Sequence, residues 1–228
     1  VIAGPPVWVT ELAARFWATV GDPPPFPRDL RAVLCWLPEL HVVGVPHLTL
    51  ASAADRFARY GVPCPAGATD RPLAGCFAGH AGVGVILFDP TLAAAEVRFT
   101  LAHEVAHYLR DYDAPRRKVA ARLGAAAVEV LDGRRPATAD ERLSGALRGI
   151  AVGRHPHFLD RDRCGRVVAP DARAAEDAAD RLAFELLAPV AALASDGVPA
   201  RAALAARLAT EFGLPAAEAA RYAAALAR

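Results

Sequence analysis

The run Val97-Arg98-Phe99-Thr100-Leu101-Ala102-His103-Glu104-Val105-Ala106-His107-Tyr108-Leu109 constrains this chain more than any other stretch. Phe99, Leu101, Ala102, Val105, Ala106 and Leu109 form an apolar stripe at helical spacing, and neither Pro nor Gly interrupts it, so the run predicts a helix. Four residues make just over one helical turn, which puts His103 and His107 on one face with both imidazoles able to aim at one point. Glu104 follows the first histidine at the edge of that face, where a carboxylate can take a proton from an attacking water. His-Glu-x-x-His on a helix is the arrangement that zinc peptidases use. Asp89-Pro90-Thr91 reads as the start of this helix.

A catalytic zinc takes three protein ligands and keeps a fourth position open, so a third ligand is expected elsewhere in the chain. Residues 172–187 predict a helix N-capped by Asp171 and closed by Pro189, anchored in a core by Leu182, Leu186 and Leu187. Its Glu176 is the expected third ligand. Asp180, one turn on, is placed to accept the outward ring N–H of His103 or His107 and fix its tautomer. Glu129, Asp160 and Glu185 are the alternatives that the spacing permits. The long interval between His107 and Glu176 calls for an inserted subdomain over 111–170.

At 228 residues and 54% hydrophobic, the chain can bury a substantial core, and it is expected to form one domain over 1–228 with a helical C-terminal appendage over 198–228. A net charge of +1 argues against an electrostatic grip on nucleic acid, so no direct nucleic-acid partner is expected. The N-terminus lacks a basic start followed by an apolar core, and no apolar run reaches the roughly 18 residues of a membrane span; a cytoplasmic location without membrane contact is expected. Cys35, Cys64, Cys76 and Cys164 fit no zinc ribbon or disulfide scaffold and are expected to be buried, reduced thiols.

Helices are expected over 10–20, with Thr10 as N-cap, over 27–37 and over 51–60, with a strand over 41–50 between the last two. Strands over 73–78 and 83–88 predict an antiparallel hairpin leading into the His-Glu-x-x-His helix, with an edge able to pair with an extended peptide. That helix is expected to end over 110–114. Two more follow over 115–131 and 138–147, then a hairpin or turn around 160–165. His155 and His157 are read as surface histidines; together with Tyr108 and Tyr112 they are also candidates to stabilise an oxyanion. Residues 201–212 and 216–227 outline a helix-turn-helix whose second helix offers only Arg221 and Tyr222 among alanines, so packing is favoured over DNA reading.

Arg98 to Leu109 resembles the first motif of the ImmA/IrrE family of bacterial metallopeptidases. Glu176-x-x-Ala179-Asp180-x-Leu182-Ala183-x-Glu185-Leu186-Leu187-Ala188-Pro189 is similar to that family's second motif, with Ala188 where Met is usual. The resemblance implies a zincin-like, gluzincin-like α+β fold with a small antiparallel sheet. It also implies a Zn2+ held by His103, His107 and Glu176, and Glu104 as general base. It further implies a regulatory endopeptidase acting on a protein substrate such as a helix-turn-helix repressor, in a phage or stress setting. The alternative expectation is a non-catalytic, metal-containing regulatory binding protein.

Overall fold

The computed structural model describes residues 4–62, 70–143, 170–193 and 200–227 of the chain. The first helix, α1 (Val7–Val20), starts earlier than Thr10 predicts, directly after Pro5-Pro6; the Thr10 hydroxyl does not cap it but donates to the carbonyl of Val7 at 2.8 Å. The helix expected over 27–37 shrinks to α2 (Arg31–Leu34). Arg28 is drawn inward instead: its Nη1 donates to the carbonyl of Leu186 at 2.6 Å, and its guanidinium lies 5.0 Å from the Trp17 ring centre and 4.6 Å from that of Phe26. Strand β1 (Leu40–Gly44) also stops short of its expected end, because His47 turns with φ at 53° and Thr49 caps α3 (Leu50–Arg59) in a reciprocal box with Ser52.

β2 (Gly75–His80) and β3 (Val83–Phe88) form the expected hairpin, closed by Ala81 and Gly82, both at positive φ (51° and 90°) as a two-residue turn requires. β1 pairs parallel with the other side of β3, so the three-stranded sheet has the order β1-β3-β2 and is mixed, not antiparallel. The crossover through α3 is the cause: the chain returns along the far edge as β2 before the hairpin lays β3 beside β1. β3 is the most continuously apolar strand, and the centre of a sheet covered on both faces is where such a run is stable.

α3 covers one face of the sheet, packing Leu50, Ala53 and Phe57 against Cys76, Ala78, Val85 and Leu87. Phe77, Ile86 and Phe88 point the other way into the main core, formed with α1, α4 (Ala94–His107) and α8 (Pro170–Leu187). The fold is thus α+β and largely helical. α4 begins later than Asp89-Pro90-Thr91 predicts. Asp89 organises its approach by accepting from the backbone N of His47 and of Thr91 and from the Thr91 hydroxyl, at 3.1, 2.9 and 2.7 Å.

Past His107 the helix does not end over 110–114. It widens into a π-helical segment, Tyr108–Asp113, and continues as α5 (Ala114–Leu123). Pro115 falls in the first turn of α5, where its missing N–H and fixed φ are tolerated. The π-helical segment lays its tyrosines onto the sheet at positions that only glycine leaves open. A Cβ at Gly79 would meet Tyr112 Cδ2 at 2.5 Å, and one at Gly84 would meet Tyr108 Cδ2 at 2.9 Å. The helix expected over 115–131 is broken by Gly124, with φ at 85°, into α5, a 3-10 turn (Ala125–Ala127) and α6 (Val128–Leu131). Tyr112 Oη accepts from Gly82 N at 2.8 Å and Arg134 Nη2 donates to Ala81 O at 2.9 Å, so this stretch is fastened to the hairpin tip.

α7 (Ala139–Leu143) is the described part of the helix expected over 138–147. The remainder of that helix, His155, His157, Asp160, Cys164 and, in an earlier loop, Cys64 lie outside the described residues. α8 begins at Pro170, so Asp171 belongs to its first turn and is not its cap. After α9 (Val190–Leu193), α10 (Arg201–Thr210) and α11 (Ala216–Leu226) turn about Gly213, and Leu204, Leu208, Phe212, Tyr222 and Leu226 enter the main core. Cys76 is buried as expected, whereas Cys35 is exposed at the end of α2. No described helix is long and apolar enough to cross a membrane.

Candidate metal centre

α4 and α8 pack along each other, with Ala102 and Ala106 on one and Ala179 and Ala183 on the other all fully buried. Side chains this small let the two backbones approach closely, and that approach sets the distance from the histidines to the acids of α8. Leu101, Val105, Leu182 and Leu186 flank the seam and fix its register. The result brings His103, His107 and Glu176 together, with one potential ligand atom from each lying within 4.8 Å of the others.

The ring orientations define the site. His103 Nδ1 lies 2.9 Å from Asp180 Oδ1, and His107 Nδ1 lies 2.8 Å from Asp111 Oδ2. A carboxylate is an acceptor, so each network assigns the imidazole proton to Nδ1 and leaves the lone pair on Nε2. The two Nε2 atoms then face each other at 3.2 Å, with Glu176 Oε2 3.4 Å from that of His103 and Glu176 Oε1 3.5 Å from that of His107. Three acceptors converging on one point repel one another unless a cation sits among them. A tetrahedral ion with ligands at ~2.0–2.2 Å requires ligand-to-ligand edges of roughly 3.3–3.6 Å. The residues present therefore fit a small divalent ion held by two imidazoles and a carboxylate.

The electrostatics agree. Burial opposes charge on His103, yet its bonds to Asp180 and Glu176 and the nearby Glu104 outweigh that penalty and raise its pKa to about 10. His107 is shifted upward in the same way, burial being overcome by Asp111 and Glu176. Burial would raise the pKa of Glu176, but the two histidines hold it well below the usual carboxylate range. A field that favours positive charge at two buried imidazoles also favours a metal cation between them.

Glu104 is buried and opens onto the same cleft, a cavity of about 380 Å³ whose walls include Arg71–Gly75, Phe99, Thr100 and the metal-site residues. β2 passes so close that a Cβ on Gly75 would overlap Thr100 and lie 3.3 Å from Glu104 Cγ. The cleft floor thus pairs a cation site with a carboxylate that is not one of its three ligands.

The remaining candidates separate clearly. Glu185 is buried elsewhere, with Oε2 accepting from Val190 N at 3.3 Å, and Glu129 is exposed, 3.5 Å from Arg135. Tyr108 and Tyr112 lie against the sheet and do not line the cleft. Two contributors escaped the sequence reading. One is Asp111, four residues after His107, a spacing that signals contact only when the helix is known to continue. The other is Arg221 of α11, which pairs with Asp180 Oδ2. Asp111 is itself steadied by Arg110, whose Nη1 lies 2.8 Å from Asp111 Oδ1 and donates to Ala175 O at 3.2 Å. Replacing Asp111 with Asn is expected to weaken metal binding by roughly 10–100-fold, the usual effect of losing a ligand's outer partner. Titration against a competing chelator measures it, and unchanged affinity would remove Asp111 from that role. Compared with known proteins, the chain matches no family model, no characterised protein and no solved structure.

Proposed function

We propose that this chain is a zinc-dependent endopeptidase of the ImmA/IrrE kind, with a zincin-like site, that regulates by cutting a partner protein such as a helix-turn-helix repressor. The observation that carries the proposal is the convergence of His103 Nε2, His107 Nε2 and the Glu176 carboxylate at distances of 3.2 to 3.5 Å, beside a buried Glu104 that is not one of them. His103, His107 and Glu176 hold the ion, and Asp180 and Asp111 keep the two imidazoles in the tautomer that presents Nε2. When bound, zinc supplies a Lewis acid that polarises the scissile carbonyl and brings the pKa of water toward ~7. Glu104 takes the proton of the attacking water and returns it to the leaving amine.

The cleft wall supports a peptide substrate. Residues 71–75 run along it into β2; the main chain of Arg71 and Leu73 is bonded to Leu50 and Leu48, and from Gly75 on β2 is an edge strand whose only partner among the described strands is β3. An extended peptide can add to such an edge through main-chain hydrogen bonds, which register a backbone carbonyl over the centre whatever its side chains.

The test is to purify the protein without chelator, measure its metal, and incubate it with the repressor-like product of a neighbouring gene. The expected result is one zinc per chain and a single cut in the substrate that chelation abolishes. Metal-free protein, or cleavage indifferent to chelation, would overturn the proposal.

A further inference from the structure

Arg221 stands on α11, far in sequence from the metal-site helix, yet its Nη1 pairs with Asp180 Oδ2 while Asp180 Oδ1 meets His103 Nδ1 at 2.9 Å. One carboxylate thus joins the C-terminal helix pair to one metal-ligating imidazole. We propose that Arg221 is a positioning residue: by holding Asp180 it fixes the orientation of His103, so that docking of the C-terminal helix pair tunes the metal centre. This rests on the metal-site reading given above.

Three observations support a role beyond surface charge pairing. First, Asp180 is largely buried, its side chain 13% exposed, so its interaction with Arg221 is screened less than that of an exposed pair. A carboxylate with two oxygens and two partners is fixed in rotation as well as in position. Arg221 removes the freedom that His103 alone would leave it. Second, Arg221 is itself held in place. Its guanidinium lies 5.4 Å from the Phe184 ring centre and 6.0 Å from that of Phe99, and the next residue, Tyr222, stacks on Phe184 at 4.3 Å and 3°. Phe99 belongs to the metal-site helix and Phe184 to the helix carrying Glu176, so α11 closes over the seam between them. Third, the side chain is 49% exposed on the wall of the cleft, where an arriving substrate meets it. Arg221 is not needed to fill the core, because Tyr222, Ala223 and Leu226 supply the buried face of α11.

The test compares Arg221→Met, which keeps a long stem over the two rings but removes the hydrogen bond, with Asp180→Asn and the double variant. The readouts are zinc affinity by chelator competition and the visible absorption of the Co2+-loaded protein, which reports ligand geometry. Arg221→Met is expected to lower zinc affinity about tenfold, the lower end of the range for outer partners, and to shift the Co2+ bands. In the Asp180→Asn background the same change is expected to have no further effect, because its route to His103 is already cut. Arg221→Lys restores part of the loss by returning a donor. Zinc affinity and Co2+ bands unchanged in Arg221→Met, or an undiminished loss in the Asp180→Asn background, would overturn the inference. Wild-type protein that binds no zinc would instead overturn the metal-site reading beneath it.

Discussion

Replacing Glu104 with Gln is expected to leave zinc content and fold intact while slowing peptide hydrolysis by roughly 10²–10⁴-fold, the usual contribution of a positioned general base. Glu104 is buried in the cleft floor but is not among the three groups that converge on the ion. Glutamine has nearly the same shape, so the tight fit against Gly75 and Thr100 survives the change. What is lost is basicity: an amide cannot accept the proton of the attacking water. The loss therefore falls on the chemical step, and single-turnover cleavage at saturating enzyme reads it directly. Elemental analysis and the unfolding midpoint of the same preparation separate this outcome from a lost metal or a damaged fold. Cleavage at the parent rate would show that another group moves the proton. Retained metal with lost cleavage also distinguishes an enzyme from a protein that merely carries a metal.

The parts of this arrangement that could be read in the sequence are those set by local periodicity. The stripe around His103 and His107 is uninterrupted, and Glu176 and Asp180 lie on a second helix whose leucines declare its buried side. The helices at 201–212 and 216–227 are bounded by Gly213 and Pro215, and they appear within two residues of those limits. What could not be read depends on how distant segments meet. The order β1-β3-β2 follows from a crossover, and no pattern within a strand encodes its neighbours. The π-helical continuation has no signature in the pattern, which reads as one helix ending over 110–114 and another starting at Pro115, whereas the two are joined through Tyr108–Asp113. Asp111 was lost with it. In the sequence Arg221 stands among alanines on a helix with few groups able to reach DNA bases, which favours packing and names no partner for it. Its partner, Asp180, lies on another helix and becomes visible only when α11 is docked. Arg28 has the same character: a charge in a stretch of helical pattern, diverted to a carbonyl on α8 and two aromatic rings at the expense of the helix.

Loss of Glu176 should produce the largest change in metal affinity. Glu176→Ala is expected to reduce zinc affinity by more than about 100-fold, beyond the ~10–100-fold expected for an outer partner such as Asp180. Two imidazoles on one helix supply one edge of the tetrahedron, 3.2 Å long, and leave the ion free to hinge about it. The Glu176 carboxylate, 3.4 and 3.5 Å from the two nitrogens, supplies the third corner and the negative charge that balances the ion. Alanine removes both without disturbing the seam, because Glu176 sits beside the buried face of α8 that Ala179, Leu182 and Ala183 form. The other acids provide the controls. Glu185 lies on the same helix but accepts from Val190 N at 3.3 Å, and burial raises its pKa, so Glu185→Ala should alter stability and leave the metal in place. Glu129 faces solvent near Arg135, and Glu129→Ala should do neither. Zinc retained at parent affinity in Glu176→Ala, but lost in either control, would move the third ligand elsewhere and leave the His-Glu-x-x-His helix without the partner that α8 provides.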